Sequence, residues 1–99
     1  MKNISNYLFA LLLGLTIMSF SMVVQHTVTG QVTSAGDPLP GVDVSVKGSS
    51  VGTVTNMKGE FRLQANDNDT LVFNNLGYVN QKVAVSGRST INVNMKEKE

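Results

Sequence analysis

The chain is 99 residues long, with 41% hydrophobic and 15% charged residues, 9 Gly, 2 Pro, no Cys and no Trp. That length holds one domain and leaves no room for a two-domain enzyme or a large barrel within these residues, and the apolar fraction excludes a disordered tail. Eight Lys+Arg against seven Asp+Glu give a net charge of +1, too little to attract nucleic acid by charge.

The chain opens as a secretory signal peptide. Lys2 precedes an apolar run from Tyr7 to Met18, and Ser19-Phe20-Ser21 supplies small residues at signal-peptidase spacing. A helix over that run covers roughly 18 Å, well short of a ~30 Å hydrocarbon core. Cleavage between Ser21 and Met22 is expected, with 22–26 as a short lead-in. Apolar character continues through Met22, Val23 and Val24, so an uncleaved anchor over Tyr7–Val24 is the alternative. Small exported domains usually carry disulfides, but without cysteine this one must rest on apolar faces and a hydrogen-bonded sheet.

From His26 onward the apolar residues recur at every second position, the period of a half-buried strand. Val28, Gly30 and Val32 alternate with Thr29, Gln31 and Thr33 in the first strand. Ser34 to Gly41, with both prolines and two glycines, reads as a loop. Val42, Val44 and Val46 mark the second strand, and a short third runs from Val51 to Thr55. Asn56-Met57-Lys58-Gly59 then has the spacing of a turn opened by an Asx hydrogen bond and closed by a glycine at positive φ. Phe61, Leu63 and Ala65 face inward on the fourth strand, and Asn66-Asp67-Asn68-Asp69 is a polar turn. Leu71 and Phe73 mark the fifth strand, and Leu76-Gly77-Tyr78 reads as a bulge or bend. Val79–Val85 is the sixth strand, with Val83 and Val85 inward. Ile91, Val93 and Met95 form the seventh, and Lys96–Glu99 is a charged tail or the start of a linker, read as solvated. No helical stripe follows the leader. Seven short strands broken by turns indicate an all-β, seven-stranded antiparallel Greek-key sandwich, with the first and last strands expected at its edges.

Residues able to do chemistry are sparse. His26 is the one histidine, and with no cysteine it cannot complete a zinc site; it reads as an exposed strand-edge residue. The same shortage leaves no base for a serine nucleophile. Asp67 and Asp69, with Asn66 and Asn68, faintly resemble a calcium loop but lack its glycine and distal glutamate, so a side-chain-stabilised turn is expected. Asp43 and Glu60 read as outward surface charge, not as a glycosidase pair. Gly48–Gly52 precedes no helix and so cannot cradle phosphate. Asn68-Asp69-Thr70 is a glycosylation sequon, meaningful only in a glycosylating host. Tyr78 is the one aromatic considered for sugar stacking, against a core role beside the bend. No catalytic, cofactor-binding or metal residue is assigned.

Four segments, Val28–Thr33, Pro38–Val42, Gly52–Phe61 and Leu76–Tyr78, resemble in order the carboxypeptidase-regulatory-like domain. The likeness spans about Thr27 to Met95, and its signature positions here are Gly30, Pro40, Gly41, Gly52, Asn56, Gly59, Phe61, Gly77 and Tyr78. Asn56 stands where that family usually has Asp, a change that keeps the Asx turn. The resemblance implies a transthyretin-like seven-stranded sandwich without zinc ligands of its own. A signal peptide followed by this domain and a charged break is similar to the start of SusC/RagA-type TonB-linked outer-membrane receptors of Gram-negative bacteria. It implies a non-enzymatic periplasmic or outer-membrane-associated module whose partners are proteins of a TonB-linked uptake system. The chain is then either an N-terminal receptor fragment or a freestanding domain, with membrane association only through a larger receptor or an uncleaved leader. The alternative is a secreted carbohydrate- or surface-binding module with a glycan as partner.

Overall fold

The computed structural model describes residues 25–99, so the leader and its cleavage position at Ser21 and Met22 lie outside the described residues. The described residues form eight strands: β1 (Gln25–Ser34), β2 (Asp37–Pro38), β3 (Asp43–Val46), β4 (Gly52–Val54), β5 (Glu60–Asn66), β6 (Thr70–Asn74), β7 (Gln81–Ala84) and β8 (Val93–Asn94). No helix occurs among the described residues.

The strands divide into two sheets. In the first, β1 pairs with β5 over Gln25–Gln31 and with β2 at Thr33 and Ser34, while β8 joins β1 in parallel at Val32 and Thr33. The second has the order β4-β3-β6-β7, antiparallel throughout. The chain crosses between the sheets after β2, β4, β5 and β7, so neither sheet is contiguous in sequence.

The alternation of valines accounts for the packing. Val28 and Val32 of β1, Val44 and Val46 of β3, Phe61, Leu63 and Ala65 of β5, and Leu71 and Phe73 of β6 are all buried. Their polar neighbours Asp43, Glu60, Arg62 and Gln64 stay exposed. Phe61 from one sheet meets Phe73 from the other edge-to-face, ring centroids 5.5 Å apart at 75°, a geometry that sets the positive ring edge against the negative face. Val42, Val85, Ile91, Val93 and Met95 close the ends of this core.

Four readings of the sequence are revised. The segment read as a loop at 34–41 contains β2, because Ala35 and Gly36 both have positive φ (51° and 87°) and close a two-residue hairpin. Pro38 is tolerated there because Ser34↔Asp37 and the Leu39 N–H···Val32 bond carry the pairing, leaving the missing proline donor pointing away from β1. The first strand is not an edge: β5 lies along one side of β1 and β8 along the other, and the β1–β8 pair departs from an all-antiparallel arrangement. The charged end keeps its side chains in solvent, but its backbone is paired. Val79 N–H bonds Lys96 O at 2.8 Å and Lys98 N–H bonds Gly77 O at 2.9 Å.

Gly30 sits on the inward face of β1, where a Cβ would lie 1.7 Å from the Ile91 carbonyl oxygen. The absent side chain lets the approach to β8 run against β1, held by Thr29 N–H to Ser89 O and Ile91 N–H to Thr29 O, both 2.9 Å.

Candidate functional site

The turn joining β4 to β5 is built by one side chain. Asn56 Oδ1 accepts the N–H groups of Lys58 (2.9 Å) and Glu60 (3.0 Å), and the Asn56 carbonyl accepts the Gly59 N–H at 2.9 Å. Gly59 takes φ +73°, and a Cβ there would lie 2.4 Å from the Val32 carbonyl oxygen, so both dihedral and space require glycine. Just before this turn, the buried Thr55 hydroxyl accepts the Val42 N–H at 2.9 Å and donates to the Leu39 carbonyl at 2.7 Å. That pair of bonds ties β4 to the segment entering β3.

Beyond the turn the two strands part, β4 into one sheet and β5 into the other. An open groove of about 650 Å³ lies where they separate. Thr53 and Val54 form one bank, Glu60, Phe61 and Arg62 the other, and Gln31 and Asn92 extend the lining across the outer face of the first sheet. Val54 and, on the neighbouring turn, Met57 are exposed apolar side chains. Among the described residues no ion pair engages Glu60 or Arg62.

The signature positions divide by place. Gly30, Gly52, Asn56, Gly59 and Phe61 gather on β1 and around the β4–β5 turn, with Gly30, Asn56 and Phe61 lining the groove. Pro40 and Gly41, the latter at φ +76°, lie in the entry to β3. Gly77, at φ +86°, and Tyr78 lie on the connection from β6 to β7, away from the groove. Tyr78 is half-buried and packs against the core, while Leu76 beside it is almost fully exposed.

His26 departs from the exposed residue read from the sequence. It is half-buried at the end of β1, with Nδ1 3.2 Å from an Asp67 carboxylate oxygen and Nε2 3.1 Å from the Arg88 carbonyl oxygen. A separation of 62 residues between His26 and Arg88 explains why no local pattern revealed the contact. In the polar turn, Asp69 Oδ2 accepts the Asn66 N–H at 2.8 Å, so this carboxylate is committed to the backbone. Among the described residues no group of three or more His, Cys, Asp or Glu side chains could hold a metal.

Fold and site together define a small two-layer β-sandwich whose distinctive surface is an open seam between the sheets. Residues 28–99 match the family model of the CarboxypepD_reg-like domain, and the chain belongs to this family. Among curated relatives, the TonB-dependent receptor SusC of Bacteroides thetaiotaomicron is 34% identical over 91 residues, covering 87% of this chain and 9% of the receptor. The TonB-dependent receptor P26 of Formosa agariphila is 36% identical over 74 residues, covering 75% of this chain and 8% of the receptor. The chain thus spans less than a tenth of either relative's length. A chain in the crystal structure of a type II cohesin–X-dockerin complex from Acetivibrio cellulolyticus superposes with a TM-score of 0.60 at 19% identity, covering 72% of this chain and 57% of that one. That likeness is one of fold.

Proposed function

We propose that this chain is a non-enzymatic module of a TonB-dependent, SusC/RagA-type uptake system, exported by a leader over residues 1–21 that is cleaved after Ser21. It acts through protein contacts in the periplasm or at the outer membrane of a Gram-negative cell. The observation that carries the reading is the family match over residues 28–99, joined to curated relatives that are TonB-dependent receptors. A glycan-binding role has less support, because Phe61 and Phe73 are buried against each other and Tyr78 packs on the core.

The test is expression of the full chain with a C-terminal tag in a Gram-negative host, followed by fractionation, mass spectrometry of the N-terminus and in-cell cross-linking. The expected result is an envelope protein beginning at Met22 and cross-linked to components of a TonB-linked receptor. Retention in the cytoplasm with an intact Met1 would refute the reading.

A further inference from the structure

A two-sheet fold has open strand edges, and an edge with unpaired main-chain groups accepts another strand unless something guards it. β7 is guarded: its exposed Lys82 points a charge outward, and the Ala84 carbonyl is taken by the Arg88 guanidinium. The β8 edge is covered as well. Gln81 Nε2 donates to the Asn94 carbonyl at 2.6 Å, and the following residues pair with 77–79.

The two banks of the groove are different. On β5, Val32 N–H bonds Gly59 O on the β1 side, whereas the Glu60 carbonyl accepts Asn56 N–H on the opposite side. Antiparallel alternation then directs the N–H and C=O of Arg62 and Gln64 away from β1. Neither residue's main chain has a partner there among the described residues, while Glu60 and Asn66 at the two ends are tied into their turns. On β4, the Val46–Val51 and Val42–Thr55 bonds direct the main-chain groups of Gly52 and Val54 away from β3. The Val54 end of the β4 edge and the Arg62 end of the β5 edge therefore border the same groove, from which the β5 edge runs on to Gln64.

We propose that the outer edge of β5 receives an extended segment of a partner protein as an added antiparallel strand. Its side chains alternate, with apolar residues over the Phe61–Leu63 row, an acidic one opposite Arg62 and a basic one opposite Glu60. The partner chemistry follows from charge: Glu60 and Arg62 stand on one face, exposed and without an ion pair among the described residues, and opposite charges across a ladder stabilise it. Four main-chain bonds to Arg62 and Gln64 supply the attachment, and the charge pattern sets direction and register. The inference rests on the protein-contact reading and names the surface that makes the contact.

The probe is the peptide acetyl-Ser-Thr-Val-Glu-Val-Lys-Ser-amide, titrated into the isotope-labelled full chain up to about 5 mM, which fills about nine-tenths of a site with a Kd of about 0.5 mM. At saturation the amide hydrogens of Arg62 and Gln64 are expected to exchange at least about tenfold more slowly. A peptide with its Glu and Lys exchanged is expected to bind about fivefold more weakly. The double variant Glu60→Lys/Arg62→Glu, at two exposed positions, is expected to reverse that preference. Unchanged exchange at Arg62 and Gln64, protection at Lys82 and Ala84 of β7 instead, or equal affinity for the two peptides would each overturn the proposal. Cross-links to receptor components in the cellular experiment would then still stand, through another surface.

Discussion

Substituting alanine for Gly30 tests the packing most sharply. The new Cβ would lie 1.7 Å from the Ile91 carbonyl oxygen, 2.7 Å from its carbon and 2.9 Å from Phe61 Cε1. Phe61 could turn aside, but Ile91 offers backbone. To reach the 3.4 Å of ordinary contact, the strand approach at Ile91 must retreat by about 1.7 Å, which stretches its 2.9 Å bond to Thr29 O beyond any hydrogen-bonding distance. The partner bond from Thr29 N–H to Ser89 O shares that geometry and fails with it. Two backbone bonds at about 1 kcal/mol each and overpacking of about 1–3 kcal/mol give a loss of roughly 3–5 kcal/mol. A domain of this size has a total stability of only about 4–11 kcal/mol. The urea midpoint should fall accordingly, and the melting temperature should drop by at least about 12 °C. Gly36→Ala is the control: φ is +87° but nothing lies within 4 Å, so only the left-handed backbone penalty of about 1–2 kcal/mol applies. If Gly30→Ala costs no more than Gly36→Ala, the close approach of β1 to Ile91 is not what requires glycine and the reasoning fails.

Three further outcomes are expected. Thr55→Val keeps the shape of the side chain but strips the Val42 N–H and Leu39 carbonyl of their partner, costing about 2–3 kcal/mol in urea unfolding, while Thr55→Ser recovers most of it. Asn56→Ala removes both bonds that fold the β4–β5 turn and should cost about 1–2 kcal/mol, whereas Asn56→Asp, which keeps the accepting oxygen, should stay within about 0.5 kcal/mol of the parent. Calcium should leave the melting temperature unchanged, because Asp69 is bonded to its own turn and Asp67 faces His26; a rise that saturates with added calcium would contradict this account of the turn.

Much of the layer structure was legible in the chain itself. A period of two along Val42–Val46, Glu60–Ala65 and Ile91–Met95 assigns each side chain to a face, and those inward positions are buried. The alternation also runs past the two-residue strand β8: Ile91 and Met95 on either side of Val93–Asn94 are buried, and their N–H groups bond Thr29 O and Thr33 O of β1. The Asn56 turn was legible for the same local reason, since all its bonds lie within five residues. The hairpin at Ala35-Gly36 was not, because two prolines nearby suggested a break and only the backbone angles reveal the turn.

The sequence alone settled the two apolar faces and the Asn56 turn, because these depend on spacing within a few residues, and its composition fixed the scarcity of histidine and cysteine. Tertiary structure alone decided that β1 lies inside its sheet with β8 in parallel, that His26 meets Asp67 and Arg88, and that the open edges of β4 and β5 border one groove. The β1–β8 pairing and the His26 contacts join residues far apart in the chain, and the groove depends on which sheet each strand enters; an alternating pattern specifies which face a residue takes but not which strand it lies beside.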